Sequence, residues 1–298
     1  MNPSYVTLAP RGILAIDGAD RTAFLQGLVT NDVTPVGPSR AVYSALLTPQ
    51  GKFLHDFFIA ALGDRLLLDC EAERLADLQR RLKLYKLRSK VALEDGSARF
   101  SVTALFGDGV LEALGLPAEP GAAAALGDGV AFTDPRLPAL GARAILPRGT
   151  EAAVLEAKGF RPAAPDAYER LRLEFGVPDG SRDMLVDKAI LLENGLDELN
   201  AISWRKGCYM GQELTARTRY RGLVRKRLMP VAVEGPLPEP GALVMLGDKE
   251  AGEMRTGAGD RALALLRLEE VERARAEGLP LLAGETRIVP GRPDWAAY

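Results

Sequence analysis

AVYSALLTPQGKFLHDFFIAALGDRLLLDCE, residues 41–71, carries the signal that decides the fold. β-branched, aromatic and leucine-rich runs are interrupted at Thr48–Gly51 and at Gly63–Asp64, where turn residues cluster. The pattern predicts three strands joined by two local hairpins. Local hairpins build an antiparallel sheet, because a parallel pair needs a long crossover.

Outward from this stretch, Ile13–Asp17 reads as a short strand, and Asp20 as the N-cap of a helix carrying Phe24, Leu25 and Leu28. Downstream, a helix is expected from Glu71 to Leu87, with Leu75, Leu78, Leu82 and Tyr85 at helical spacing. Strands are expected at Phe100–Leu105 and Ala142–Leu146, and GLPAEPGAAAALGDG between them as the least structured segment. PDAYERLRLEFGVPDG reads as a helix stopped by Gly176 and Pro178. From Leu228 the texture changes to MPVAVEG, ALVML, ALALLRL and TRIVP, short strands between Pro/Gly turns, the pattern of a small β-barrel. The fold class is therefore α+β, with α+β layers in residues 1–227 and a β-barrel in residues 228–298.

Composition bounds the function. The chain has 298 residues, 47% apolar and 26% charged, ordinary values for a soluble globular protein. The net charge of −2 hides an asymmetry: Ala201–Pro230 holds eight basic residues against Glu213 alone, a local +7 that leaves −9 elsewhere. Such an island suits an anionic ligand, or is a solvated helix face. The opening MNPSYVTLAPRG has neither a basic start nor a long apolar run, and no run is long enough for a membrane span. A cytoplasmic protein with no membrane partner is expected. One histidine, His55, excludes a His-rich zinc site, and two cysteines, Cys70 and Cys208, cannot hold an iron–sulfur cluster from one chain; no resident metal is expected. Neither a Walker-type loop nor a dinucleotide-binding glycine fingerprint is present.

RKGCYMGQELTARTRYRG, residues 205–222, places Cys208 between Gly207 and Gly211, behind Arg205 and Lys206, before a helix expected to start at Gln212. The helix dipole, the two cations and an exposed loop would each favour thiolate over thiol. A structural cysteine in a glycine turn is the alternative reading. Cys70, closing RLLLDC, reads as a small buried residue.

Lys206, Gly207, Cys208, Tyr209, Met210, Gly211, Gln212 and Glu213 resemble the K-G-C-[FY]-x-G-Q-E signature of the YgfZ-type folate-binding proteins. That family acts in iron–sulfur cluster assembly and repair and is related to the glycine-cleavage T-protein, an aminomethyltransferase. FLQGLVTNDV, YSALLTPQGKFLHDFFI, RLRLEFGVP and RTRYRG extend the resemblance over nearly the whole chain. It implies two α+β modules and a C-terminal β-barrel arranged as a ring, with tetrahydrofolate or a derivative as cofactor. By position, Tyr43, Asp56 and Glu174 match the T-protein's folate-site tyrosine and acids, with Lys206 and Arg221 as candidates for holding the glutamate tail. The nitrogen-rich edge of a pterin offers N–H donors that a carboxylate accepts in pairs. Tyr43 also fits a packed strand residue, and Glu174 an exposed helix residue. His55 stands where T-proteins often carry a second acid, which weighs against aminomethyl transfer.

The first function expected is thus a folate-binding accessory factor, not a conventional enzyme, that uses Cys208 with iron–sulfur client or assembly proteins and a transient cluster. The second is a folate-dependent aminomethyltransferase with Asp56 as catalytic residue. The third is an RNA-binding module using Arg217–Arg227. The third has one aromatic, Tyr220, in place of the several that base stacking requires, so nucleic acid is not the expected partner.

Overall fold

The computed structural model describes residues 2–222 and 224–297. The chain forms two compact units. The first comprises Met1–Leu47, Leu54–Tyr168 and Leu199–Met210; the second comprises Thr48–Phe53, Glu169–Glu198 and Gly211–Tyr298.

The first unit is built on two sheets. The five-stranded sheet has the order Val42–Leu47, Phe53–Leu62, Arg65–Glu71, Arg11–Asp17, Ala92–Asp95. Its first three strands are those expected in residues 41–71. The turn at Thr48–Gly51 closes through Gly51 N–H to Thr48 O at 2.8 Å. Gly51 is required there: it has φ +80°, and a Cβ would stand 2.6 Å from Leu214 Cβ and 2.7 Å from Gly211 O. The six-stranded sheet runs Arg161–Pro162, Ser4–Thr7, Phe100–Phe106, Ala142–Pro147, Gly129–Thr133, Ala123–Leu126.

Three details differ from expectation. Asp20 makes no side-chain cap to the helix Arg21–Gln26; its Oδ2 accepts the Lys90 amide at 2.7 Å instead. The helix Leu75–Lys86, preceded by a 3-10 turn, buries Leu75, Leu78 and Leu82, whereas Tyr85 is exposed. The segment read as least structured contains the edge strand Ala123–Leu126, paired with Gly129–Thr133. Alanines carry weak strand propensity, and pairing to the neighbour overrides it.

A charged layer lies between the two sheets, which the sequence reading did not anticipate. Asp69, fully buried, accepts from Arg11 Nε at 2.6 Å and from Arg143 Nε at 3.0 Å. Asp134 pairs bidentately with Arg136, Nε–Oδ1 at 3.0 Å and Nη2–Oδ2 at 2.7 Å. The Tyr168 hydroxyl accepts from Arg136 and Arg143. Phe58 lies beneath, with the Arg143 and Arg136 guanidinium carbons 4.1 and 4.9 Å from its ring centre. Burial raises Asp134's carboxyl, but the charge and hydrogen bonds of Arg136 and the Arg143 charge together hold the group below its ordinary range.

The second unit contains a closed six-stranded barrel in the order Lys226–Glu234, Arg261–Arg267, Lys249–Ala258, Leu243–Leu246, Leu281–Ala283, Thr286–Pro290. Its core includes Met229, Val231, Val244, Met254, Leu266 and Ile288. Residue 228 falls two residues inside the first barrel strand, and Thr48–Phe53, Glu169–Glu198 and residues 211–227 join the barrel's unit. Within this unit Arg172, on the helix Pro165–Glu174, pairs with Asp183 at 2.9 Å and donates to Thr256 at 2.7 Å, tying that helix to the barrel strand Lys249–Ala258.

Candidate functional site

The signature loop is positioned by its lysine. Lys206 Nζ donates to Val29 O and Asn31 O, both at 2.7 Å, and lies 5.4 Å from the Tyr209 ring centre. Two more bonds fix the loop to the same segment: Ser203 N–H to Thr30 O at 3.1 Å and Met210 N–H to Gly27 O at 3.2 Å. Burial pushes the Lys206 ammonium down to about 8, with the Asp32 charge pulling the other way. At neutral pH it is still mainly charged. Two of its three protons are committed to carbonyls, so its role here is to clamp residues 29–31.

Between these anchors Cys208 is exposed and Tyr209 is buried. Gly207 has no left-handed backbone, and a Cβ there would meet nothing within 4 Å. What its missing side chain leaves is open surface beside the thiol. Gly211 does need its freedom: at φ +80° it precedes the helix Gln212–Tyr220, which begins where expected, with Glu213 in its first turn. Cys70 is buried, its Sγ 3.7 Å from Gly12 O, and burial pushes its thiol up to about 12. Of the two cysteines, only Cys208 is exposed to solvent.

The segment clamped by Lys206 leads into a cleft of 410 Å³ whose walls include Asn31, Asp32, Tyr43, Pro135 and Asn200, with Arg40 and Glu119 also lining it. The volume is that of an ordinary small-molecule site. Asn31 holds the walls together: Nδ2 donates to Tyr43 O at 2.8 Å and Asn200 O at 2.7 Å, and Oδ1 accepts the Asp32 amide at 2.8 Å. Asn200, at φ +60°, is one of three non-glycine residues with left-handed backbone among the described residues. Asp32 accepts from Gln26 Nε2, Thr34 N–H and the Thr34 hydroxyl, all on Oδ1. Burial raises its carboxyl, but the Thr34 and Gln26 bonds and the Lys206 charge prevail and hold it below the ordinary carboxylate range.

Of the residues expected at a folate site, Tyr43 and Asp56 are brought together, the tyrosine hydroxyl donating to Asp56 Oδ2 at 2.8 Å. Both are buried, Tyr43 completely, with its ring 4.9 Å from that of Phe58. Tyr43 borders the cleft, but Asp56 is not among the residues lining it. Asp56 lies on the strand Phe53–Leu62, whose residues 53–60 are all buried. Glu174 ends the helix Pro165–Glu174 in the second unit, exposed, in a 450 Å³ cleft also lined by Arg261, Arg292 and Pro230. Arg221, also in the second unit, follows the helix Gln212–Tyr220 and is exposed. Asn31, Asp32 and Asn200 were not singled out in the sequence, although an Asn-Asp pair directly after an apolar helix was a usable signal.

His55 is structural. It is buried, with Nε2 3.0 Å from Asp77 Oδ2. Burial, then the Arg74 charge, lowers it to about 4 despite the opposing pull of Asp77, so at neutral pH it is a neutral imidazole donating to the carboxylate. The unfolded chain takes up this proton near pH 6.5 and the folded chain only near 4, so stability is lost as pH falls between those values. The expected loss is on the order of 3 kcal/mol. Urea melts of the wild type and of His55→Gln across pH 7 to pH 4 check this: the wild-type slope should flatten in the variant. Parallel slopes would contradict the assignment.

Residues 225–298 match the family model of the CAF17 C-terminal beta-barrel domain. The mouse mitochondrial iron–sulfur cluster assembly factor IBA57 is 34% identical, with 96% of this chain and 83% of the mouse protein covered. The human protein of the same name is 35% identical over the same shares. The chain belongs to the IBA57 family of iron–sulfur cluster assembly factors. For the fold, the aminomethyltransferase T of the glycine cleavage system from Bartonella henselae superposes with a TM-score of 0.76, covering 99% of this chain and 86% of that one at 16% identity. The α+β aminomethyltransferase fold with a C-terminal barrel is thus the fold of this IBA57-family chain. The expected cytoplasmic location is corrected: the mouse and human IBA57 relatives are named as mitochondrial, and they point to that compartment. Composition does not separate one aqueous compartment from another.

Proposed function

We propose that this chain supports iron–sulfur cluster assembly by lending the Cys208 thiolate to a cluster whose remaining ligands come from a partner protein. The observation that carries this reading is the presentation of Cys208: exposed, beside a bare Gly207, on a loop whose base is clamped by Lys206. Among the described residues no three His, Cys, Asp or Glu side chains stand together as a metal site, so the chain supplies one thiolate and not a cage. A clamped loop keeps that thiolate in place without local ordering at the moment of transfer, which is what a shared, transient cluster requires. The partners are iron–sulfur client or assembly proteins, and the cluster is cargo.

The second part of the proposal is a reduced folate in the Asn31–Asn200 cleft. The residues fit such a group in modified form. Asp32 faces the cleft with all its protein bonds on Oδ1, leaving Oδ2 to accept from the N–H edge of a pterin. Tyr43 and Asp56 support the wall from behind. Burial and the Asp56 carboxylate push the Tyr43 hydroxyl well above its ordinary value, so it stays protonated and holds that carboxylate in place. Glu174 and Arg221 belong to the second unit and are not needed for this contact. When bound, tetrahydrofolate brings a one-carbon carrier and a reductant. The chain's own residues orient it, and the shared 29–31 segment links its cleft to the signature loop.

Titration calorimetry with tetrahydrofolate tests the cleft. Asp32→Asn keeps the shape and removes the charge, so affinity should fall by about 1.5–3 kcal/mol. Unchanged affinity in the variant would remove Asp32 from the site, and no binding by the wild type would remove the folate reading while leaving the Cys208 reading standing.

A further inference from the structure

The helix Leu75–Lys86 and the residues after it carry a surface that neither cleft nor signature loop uses. Lys83, Leu84, Tyr85, Lys86, Leu87, Arg88, Ser89 and Lys90 contain four cations and no acid. Arg80 and Arg81, one turn earlier, both pair with Asp77. Lys83, Lys86, Arg88 and Lys90 make no ion pair with the described residues. Among these cations stand three large apolar side chains: Leu84 at 65%, Tyr85 at 41% and Leu87 at 87% exposure. Leu84 lies on the helix face opposite Leu75 and Leu82, which are buried. Leu87 closes the helix at φ +42°, a backbone that a branched residue adopts only at a cost. The strained backbone thus falls on the most exposed large apolar side chain among the described residues.

We propose that this patch is a peripheral docking surface for an anionic phospholipid bilayer. Apolar side chains protruding singly from a lysine-rich rim match the interfacial mode of binding: the leucines and the tyrosine ring enter the headgroup boundary while the ammonium groups meet lipid phosphates. A folded protein partner fits less well, because protein interfaces are depleted in lysine and bury their apolar residues in shaped pockets. The expectation of no membrane partner rested on the absence of a spanning run, and interfacial binding needs none. No helix among the described residues is long and apolar enough to cross a membrane, so the contact is on the surface.

Co-sedimentation with vesicles tests the proposal. The full chain should sediment with vesicles of phosphatidylcholine and phosphatidylglycerol in equal parts, but not with phosphatidylcholine alone. Lys83→Gln/Lys86→Gln/Lys90→Gln should weaken the binding by about a hundredfold, at roughly one kcal/mol per surface lysine. Leu84→Ser/Leu87→Ser should weaken it at unchanged charge. Lys83, Leu84, Leu87 and Lys90 are exposed and Lys86 is half-buried, and a thermal melt equal to wild type confirms that both variants fold. Absence of binding to the anionic vesicles, or binding that neither variant alters, would overturn the proposal. If soluble polyglutamate bound at these residues and the vesicles did not, the patch would belong to an acidic protein and the membrane assignment would be wrong.

Discussion

Asp69→Asn is expected to destabilise the protein by about 3–5 kcal/mol, a large share of what holds a domain of this size together. Asp69 is fully buried and receives Arg11 from its own sheet and Arg143 from the six-stranded sheet. Asparagine preserves the volume but removes the anion that two buried guanidinium groups share. Its amide nitrogen would also present donors where only donors face it. The layer holds three arginines, Arg11, Arg136 and Arg143, and three aspartates, Asp56, Asp69 and Asp134, so losing one charge leaves a buried excess that water cannot reach. Equilibrium unfolding in guanidinium chloride measures the change, and a loss below about 1 kcal/mol would mean that the layer is hydrated or relaxes freely. Joining Asp69→Leu with Arg143→Met separates mechanism from packing. Removing both members of a buried pair can be nearly neutral, so the double variant should recover part of the loss.

That layer marks the limit of what the sequence could reveal. The strands of residues 41–71 were legible because their apolar runs are long and their turns are marked by Thr-Pro-Gln-Gly and Gly-Asp. The barrel was legible for the same reason, apart from the strand Lys249–Ala258, whose KEAGEMRTGA lacks an apolar run, and the three-residue strand Leu281–Ala283. Arg11, Asp69 and Arg143 gave no such signal: each is a single charge in a strand, and a charge in a strand normally faces water. Only the close approach of two sheets makes them partners. The site divides likewise. Cys208, Gly211 and the helix start at Gln212 were readable from local chemistry, whereas Lys206 looked like a ligand-binding cation and is held by Val29 and Asn31 carbonyls. Tyr43 and Asp56, thirteen residues apart in the sequence, meet in a hydrogen bond. Asn31 and Asn200 are 169 residues apart, and only folding joins them across the cleft.

The second large effect is expected from Cys208→Ser: near-complete loss of function in an intact protein. Serine is close in size, the side chain is exposed, and the loop is held by backbone and lysine bonds that do not involve the thiol. Stability and tetrahydrofolate affinity should therefore match the wild type. What disappears is the soft thiolate that an iron–sulfur cluster selects over a hydroxyl, which stays protonated near neutral pH. Gly207→Val extends the argument without touching the thiol, since a branched side chain would crowd the open surface through which a partner reaches Cys208.

The most direct measurement is the activity of several iron–sulfur enzymes in cells that lack this protein, restored with either the wild-type chain or Cys208→Ser at equal abundance. The wild type should restore all of them together, and Cys208→Ser should leave them near the level of the deletion while a glycine-cleavage assay is unaffected in every strain. Full restoration by Cys208→Ser would contradict the central claim and make the cysteine a structural residue of its turn.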